Sequence, residues 1–276
     1  MVEDRAPAAV AVRGPQARAV WATVWGGQLA VLLPIVTAFL FLLAWQTTSI
    51  YGDISPTILP PPTMVLEQLT GNFPLIMKHT IPTTYETLLA FGISIPLGIA
   101  LAGLMVYSTL AYQALYPNIV FFQLIPKIAL APLFIVWLGI GETPKIVLIA
   151  LATVFPMYLN TYNGVRSVDR KVLEGMRSFG VTGWRLVRDV VFPLALPSIL
   201  TGLRFALGVS VLALIAAEQI NSSAGLGYLM IQAQTYQQAD VLVVCIVIYA
   251  ALGLLADVIV RVVERVLMPW RASVSR

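Results

Sequence analysis

The stretch Thr87–Pro126, TLLAFGISIPLGIALAGLMVYSTLAYQALYPNIVFFQLIP, decides how the rest of the chain is read. It carries no Asp, Glu, Lys or Arg over 40 residues. A helix needs about 20 mostly apolar residues to cross a bilayer core. The run is therefore too long for one crossing and long enough for nearly two. Tyr107, Ser108 and Thr109 offer a polar break in its middle, which predicts helices over 82–106 and 113–138.

Working outward, Ala19–Gly52 is also free of charge, with its apolar heart at Leu29–Trp45. No small-residue cleavage site follows a short apolar core, so this segment reads as a retained span and not as a signal peptide. Gly139-Ile140-Gly141-Glu142-Thr143-Pro144 reads as a turn. Further spans are expected at 145–165, at 197–220 with Arg204 inside, and at 240–262. The result is an all-α integral membrane protein of six transmembrane helices.

Composition agrees. Of 276 residues, 59% are hydrophobic and 11% charged, against about 25% charged in an average soluble chain. A globule of this size cannot cover so much apolar surface. This excludes a cytosolic enzyme, a secreted disulfide scaffold and a disordered chain. Cys245 is the single cysteine and reads as a buried thiol. His79, the single histidine, stands beside Lys78 and reads as interfacial. One His and one Cys leave no metal site and no nucleophilic triad, so no catalytic residue is assigned. No basic cluster with interleaved aromatics points to nucleic acid.

Charge placement sets the orientation. Thirteen of the 17 Lys and Arg fall on one predicted face. They are Arg5, Arg13 and Arg18 in the N-terminal tail, Arg166, Arg170, Lys171, Arg177, Arg185 and Arg188 between spans four and five, and Arg261, Arg265, Arg271 and Arg276 at the C-terminal end. The positive-inside rule puts both termini and the charged loop in the cytoplasm. Lys78 and Lys145 fall on the opposite face, and Lys127 and Arg204 lie within spans. The expected organisation is a tail over 1–28, a six-helix domain over 29–268 with a loop at 166–196, and a tail over 269–276.

That loop has helix chemistry. Val172–Val191 contains no proline, and Gly180 and Gly183 can divide it into two short helices joined by a tight turn. Leu173 and Met176, then Trp184, Leu186 and Val187, can form apolar faces opposite Arg177, Arg185 and Arg188. Such a helix can rest on the membrane interface or dock in a partner's groove.

Glu174-Gly175-Met176-Arg177-Ser178-Phe179-Gly180, nine residues, then Val190-Val191-Phe192-Pro193 resembles the cytoplasmic EAA loop of ABC-importer permeases. The glutamate, glycine and proline match that pattern in spacing, while Gly175 and Met176 replace its two alanines and Val190 and Phe192 its other apolar positions. Leu59-Pro60-Pro61-Pro62, Pro126-Lys127-Ile128-Ala129-Leu130-Ala131-Pro132, Trp137-Leu138-Gly139-Ile140-Gly141-Glu142, Gly202-Leu203-Arg204 and Gly225-Leu226-Gly227-Tyr228 resemble the taurine/aliphatic sulfonate/nitrate branch. The similarity covers about 29–270. No Gly-x-x-x-x-Gly-Lys-Ser/Thr motif is present, so the ATPase is expected on a separate chain.

The resemblance implies an ABC importer type I permease in a bacterial inner membrane, working as a homodimer in contact with membrane lipid. It implies two ABC ATPase subunits that carry ATP and Mg2+, an extracytoplasmic solute-binding protein, and no cofactor on this chain. The loop becomes a coupling helix, with Glu174, Gly175, Met176, Ser178, Phe179, Gly180, Val181, Trp184 and Arg185 as its contact set. Gly180 would supply the turn and Pro193 a fixed exit into span five. Gln123, Lys127, Asn160, Arg204, Glu218, Gln219 and Asn221 are polar groups in apolar surroundings and candidate pathway residues. Lys127 and Arg204 can attract an anion, or can pair with Glu218 or with carbonyls freed by Pro126 and Pro132. The expected solute is a sulfonate, taurine, nitrate or related organic anion. The alternatives are an aromatic or heterocyclic solute (a thiamine pyrimidine precursor, riboflavin or phthalate) and a secondary transporter, which would show internal repeats or ionisable relays.

Overall fold

The computed structural model describes residues 27–220 and 222–269, with 27–31 as backbone only. The tails over 1–28 and 269–276 lie almost wholly outside the described residues, as does Asn221. No strand occurs among the described residues.

The chain divides into two bodies, Met1–Thr63 and Met64–Arg276. The first contains helix α1 (Gly27–Tyr51). Its span Leu32–Tyr51 is 20 residues long, about 30 Å at 1.5 Å per residue, enough for the hydrocarbon core. Leucines and phenylalanines are exposed all round it, as expected of a helix whose solvent is lipid. Thr37 and Thr47 return their hydroxyls to carbonyls four residues back. After α1 the chain folds back on it: Ser49 Oγ donates to the Leu59 carbonyl at 2.5 Å. The Gln46 amide donates to Thr63 Oγ1 and accepts its N–H.

The second body begins within α2 (Pro62–Gly71) and runs into α3 (Phe73–Tyr107). At 35 residues α3 is far longer than the predicted 82–106, because Lys78 lies inside the helix and does not end it. The polar break falls where the sequence placed it. The Ser108 N–H closes α3 on the Leu104 carbonyl, and its hydroxyl accepts the Ala111 N–H to cap α4 (Thr109–Leu124).

The span expected over 113–138 is broken in the structure. After α4, Ile125 and Pro126 are extended, Lys127–Leu130 forms a short 3-10 turn, and α5 (Ala131–Leu138) leaves at 87° to the preceding segment. Pro126 has no N–H for the ladder and drives Ile125 out of helical conformation. Gly139 and Gly141, both at positive φ, then turn the chain into α6 (Glu142–Arg166).

Beyond α6 come α7 (Arg170–Ser178), α8 (Gly183–Leu186) and a π turn over Val187–Val191. They lead into α9 (Phe192–Ile220), α10 (Leu226–Thr235) and α11 (Ala239–Leu267). Among the described residues, five helices are long and apolar enough to cross a membrane, and the broken pair of α4 with the 127–138 segment brings the number to six where it is counted as one span. Helix α6 is the axis of the second body and packs along both α3 and α9. Small residues permit this close approach, the usual device where lipid removes any hydrophobic drive between helices. A Cβ at Gly98 of α3 would stand 2.7 Å from Met157 Cβ, and one at Gly202 of α9 would stand 2.7 Å from Asn160 Cβ. Phe91, Met157, Ala195, Ile199 and Ala206 form the core between these helices. Cys245 is a free thiol buried in α11.

Candidate functional site

Three groups of side chains carry chemistry. The first is the loop after α6. Asp169 caps α7 by accepting the Lys171 N–H at 2.9 Å. At its other end Gly180 N–H donates to the Arg177 carbonyl and Val181 N–H to the Met176 carbonyl. This crossed pair is a Schellman closure, and it needs the left-handed residue that Gly180 supplies at φ +84. Gly183, at φ +59, starts α8. Leu186 and Val190 are buried and tie the loop down, while Met176 and Val181 are half-buried. Phe179 is 84% and Trp184 74% exposed. The turn therefore presents two aromatic rings outward on a rigid backbone, an apolar patch with no cover of its own. Glu174 and Arg185 are exposed. Ser178 returns its hydroxyl to the Gly175 carbonyl at 2.6 Å.

The second group lies at the opposite end of the bundle, where α6 begins and α9 ends. His79, Thr83 and Glu86 share one face of α3, and all three are buried. Glu218 of α9, fully buried, accepts three hydrogen bonds. Thr83 Oγ1 donates to Oε1 at 2.6 Å, while Gly227 N–H at 2.6 Å and Tyr249 OH at 2.8 Å donate to Oε2. Leu226 N–H donates to Thr83 Oγ1 at 2.9 Å, and Gly225 N–H to His79 Nδ1 at 3.2 Å. Three successive N–H groups at the start of α10 are thus held by side chains of α3 and α9. A Cβ at Gly225 would stand 2.4 Å from Glu218 Oε1, so only glycine admits the carboxylate. Beside this clamp Lys145 is ion-paired with Glu86 and donates to Ser222 Oγ at 3.2 Å. Glu86 Oε2 has no hydrogen-bond partner among the described residues.

The third group is two cations within spans. Arg204 of α9 faces α11, where it pairs with Glu264 and stands 3.7 Å from Asp257. Lys127, at the 87° break, donates to the Gln123 carbonyl that the end of α4 leaves free. Its ammonium stands 4.7 Å above the Phe155 ring centre. No carboxylate pairs with it among the described residues. Its ammonium is met by one carbonyl and one aromatic face.

Several expectations change. His79 is buried in the clamp, against Gly225. Lys145 is buried in an ion pair. Arg204 pairs with α11 acids and not with Glu218. The described candidate pathway residues do not converge on one site within the chain. Gln123 and Gln219 are exposed, and Asn160 donates to the Pro156 carbonyl at 2.9 Å beneath Gly202. Glu86, Thr83, Ser222 and Tyr249 were missed. The spacing of His79, Thr83 and Glu86 was the available signal, since an acid inside an apolar helix requires a partner.

Residues 94–268 match the family model described as binding-protein-dependent transport system inner membrane component. The chain belongs to that family. It is the permease subunit of an ABC importer. The permease is 40% identical over 232 residues, 83% of its length and 88% of the relative's, to the putative aliphatic sulfonates transport permease protein SsuC of Escherichia coli K12. It is 34% identical over 258 residues, 91% and 94% of the two lengths, to the taurine transport system permease protein TauC of the same organism. Among solved structures, a chain of the MetNI methionine ABC transporter matches 71% of the permease and 98% of itself. The TM-score there is 0.58 at 21% identity, a likeness of fold.

Proposed function

We propose that the permease forms the route by which an aliphatic sulfonate, taurine or a closely related organic anion crosses the inner membrane. An extracytoplasmic binding protein delivers the solute, and two ATPase subunits drive a homodimer of this chain. ATP and Mg2+ bind the ATPases, and this chain contributes no catalytic group. The observation that carries the reading is the loop turn at Gly180, which holds Phe179 and Trp184 outward on a fixed backbone. Two exposed aromatics on a rigid turn suit a cleft in a partner, where their burial resists shear as the partner moves. Glu174, Gly175, Met176, Ser178, Val181 and Arg185 complete the proposed contact set.

The loop carries Arg166, Arg170, Lys171, Arg177, Arg185 and Arg188, and α11 ends near Arg261 and Arg265. The charge bias supports a cytoplasmic position for this end and for both termini, and an outer position for the clamp of Glu218. ATP drives import by binding one conformation better than another, and the loop transmits that difference to α6 and α9. The test is uptake of radiolabelled taurine and alkanesulfonates by proteoliposomes holding the complete complex. ATP- and binding-protein-dependent uptake is expected. Uptake without nucleotide hydrolysis, or a preference for a neutral heterocycle, overturns the reading.

A further inference from the structure

A row of tyrosines runs along the seam between α4 and α6, and the function proposed above makes no use of it. On α6, Val154, Tyr158, Tyr162 and Arg166 recur every four residues and so share one face. On α4 the matching face carries Tyr112, Tyr116 and Ile119. The rings touch in sequence. Tyr112 stacks on Tyr116 at 5.0 Å and on Tyr162 at 5.8 Å between centres, and Tyr158 lies 6.0 Å from Tyr162. Arg166 ends the row at the side of the charged loop. It donates to the Tyr162 hydroxyl at 2.9 Å, with its guanidinium carbon 5.5 Å from that ring's centre. Arg166 is exposed, and no carboxylate pairs with it among the described residues.

At its other end the row opens into a cavity of about 460 Å³ between α3, α4 and α6, walled by Tyr158 and by Leu97, Ile119, Phe122 and Val154 among others. The wall is apolar. Ile93, Leu97 and Phe122 on its border are exposed, so the cavity opens to the side of the bundle, where the solvent is lipid. Its α6 wall runs from Tyr158 to Val147, about 16 Å at 1.5 Å per residue. That is about the depth of one leaflet, half of a hydrocarbon core about 30 Å thick. At the junction of row and cavity the Tyr158 hydroxyl has no hydrogen-bond partner among the described residues, on a side chain only 2% exposed. A buried hydroxyl without a partner calls for one.

We propose that this seam binds one anionic phospholipid from the leaflet on the side of the charged loop. Its phosphodiester sits on Arg166, its glycerol esters lie along Tyr162 and Tyr158, and one acyl chain fills the cavity. Each part meets the chemistry it needs. The phosphodiester carries the single negative charge that Arg166 lacks, in a form that a guanidinium fork accepts. Tyrosine is a side chain suited to headgroup depth, and the Tyr158 hydroxyl can donate to an ester carbonyl. The acyl chain takes a wall that offers a polar solute nothing. A second cavity, about 350 Å³ between α3, α9 and α11, lacks this combination. The cation on its border, Arg204, is already paired with Glu264 and Asp257. A lipid in the seam ties α4 to α6 just before the loop helix is capped at Asp169. The inference goes beyond the transport reading and stands whichever solute is carried.

The test is native mass spectrometry of the full-length permease, alone and in the complete complex, released from micelles holding equal amounts of phosphatidylglycerol and phosphatidylcholine. Saturable retention of one phosphatidylglycerol per chain is expected, in preference to phosphatidylcholine. Arg166→Gln is expected to weaken retention by at least about tenfold, the loss of a charge-assisted pair. Arg166→Lys keeps the charge, loses the fork, and is expected to weaken it by about threefold. Tyr158→Phe is expected to cost about fivefold, one hydrogen bond. Leu97→Trp, on the exposed border, is expected to abolish retention by filling the cavity. Thiol labelling of buried Cys245 during heating checks that each variant is folded.

Absence of retained lipid overturns the proposal, as does equal retention of the two lipids. Retention that ignores both Arg166→Gln and Leu97→Trp places the lipid elsewhere and also overturns it. So does loss of phosphatidylglycerol on assembly of the complete complex, which would make this face a contact between protein chains. Solute uptake is not part of the readout, so either result leaves the transport reading to its own test.

Discussion

Replacing Glu218 with Leu tests the clamp most directly. The carboxylate accepts from Gly227 N–H, Tyr249 OH and Thr83 OH. Thr83 keeps an alternative acceptor, the His79 carbonyl at 3.0 Å. The other two donors are left buried without partners, at about 1–3 kcal/mol each. Removal of a buried charge returns part of that loss, so a net destabilisation of about 2–4 kcal/mol is expected. At about 2–4 °C per kcal/mol for a protein of this size, the melting point falls by roughly 5–15 °C. Glu218→Gln behaves differently. Its carbonyl oxygen can accept from both Gly227 and Tyr249, and its amide can donate to Thr83 Oγ1, so a shift under about 1 kcal/mol is expected. Cys245 provides the assay. It is the single cysteine and fully buried, so a thiol-reactive fluorophore added to the solubilised permease reports unfolding. Equal melting of the parent and the Leu variant, or equal loss from Leu and Gln, refutes the claim that satisfied donors hold α10 in place.

Lys145→Met strands Glu86 as a buried, unpaired charge and is expected to cost about 3–5 kcal/mol, while the double change with Glu86→Gln recovers most of it. A double-mutant cycle on the same thiol assay measures the coupling, and additive losses count against the pair. Phe179→Ala and Trp184→Ala remove exposed rings, so the permease should melt as the parent does. Binding to the ATPase partner should weaken by about 1.5–3 kcal/mol each, roughly 10–100-fold, in a pull-down titration. Gly98→Val places a side chain where Met157 Cβ already stands. A loss of at least about 1–3 kcal/mol is expected from overpacking, with premature thiol labelling of Cys245 as the readout.

Hydropathy along the chain determined the number and approximate place of the crossings, because bilayer thickness fixes how many apolar residues a helix must string together. The break at Ser108, the turn at Gly139–Gly141 and the glycine-divided loop were legible for similar local reasons: a capping hydroxyl and left-handed glycines act on their own neighbours. Pro126 was equally visible, but the 87° bend beside it was not, since length alone cannot tell a continuous crossing from a broken one. Cross-helix pairing was not legible at all. α3 is apolar around most of its circumference, so the sequence does not state which way His79, Thr83 and Glu86 face. Only the packing of α3 on α6, through Gly98, brings Glu86 to Lys145, and only the return of the chain at Gly225 brings three backbone donors to His79, Thr83 and Glu218. Local chemistry writes the helices and their ends. The rotation of one helix against another, set by where small residues let backbones meet, decides which buried charges find partners and, among the described residues, leaves Lys127 without an acid.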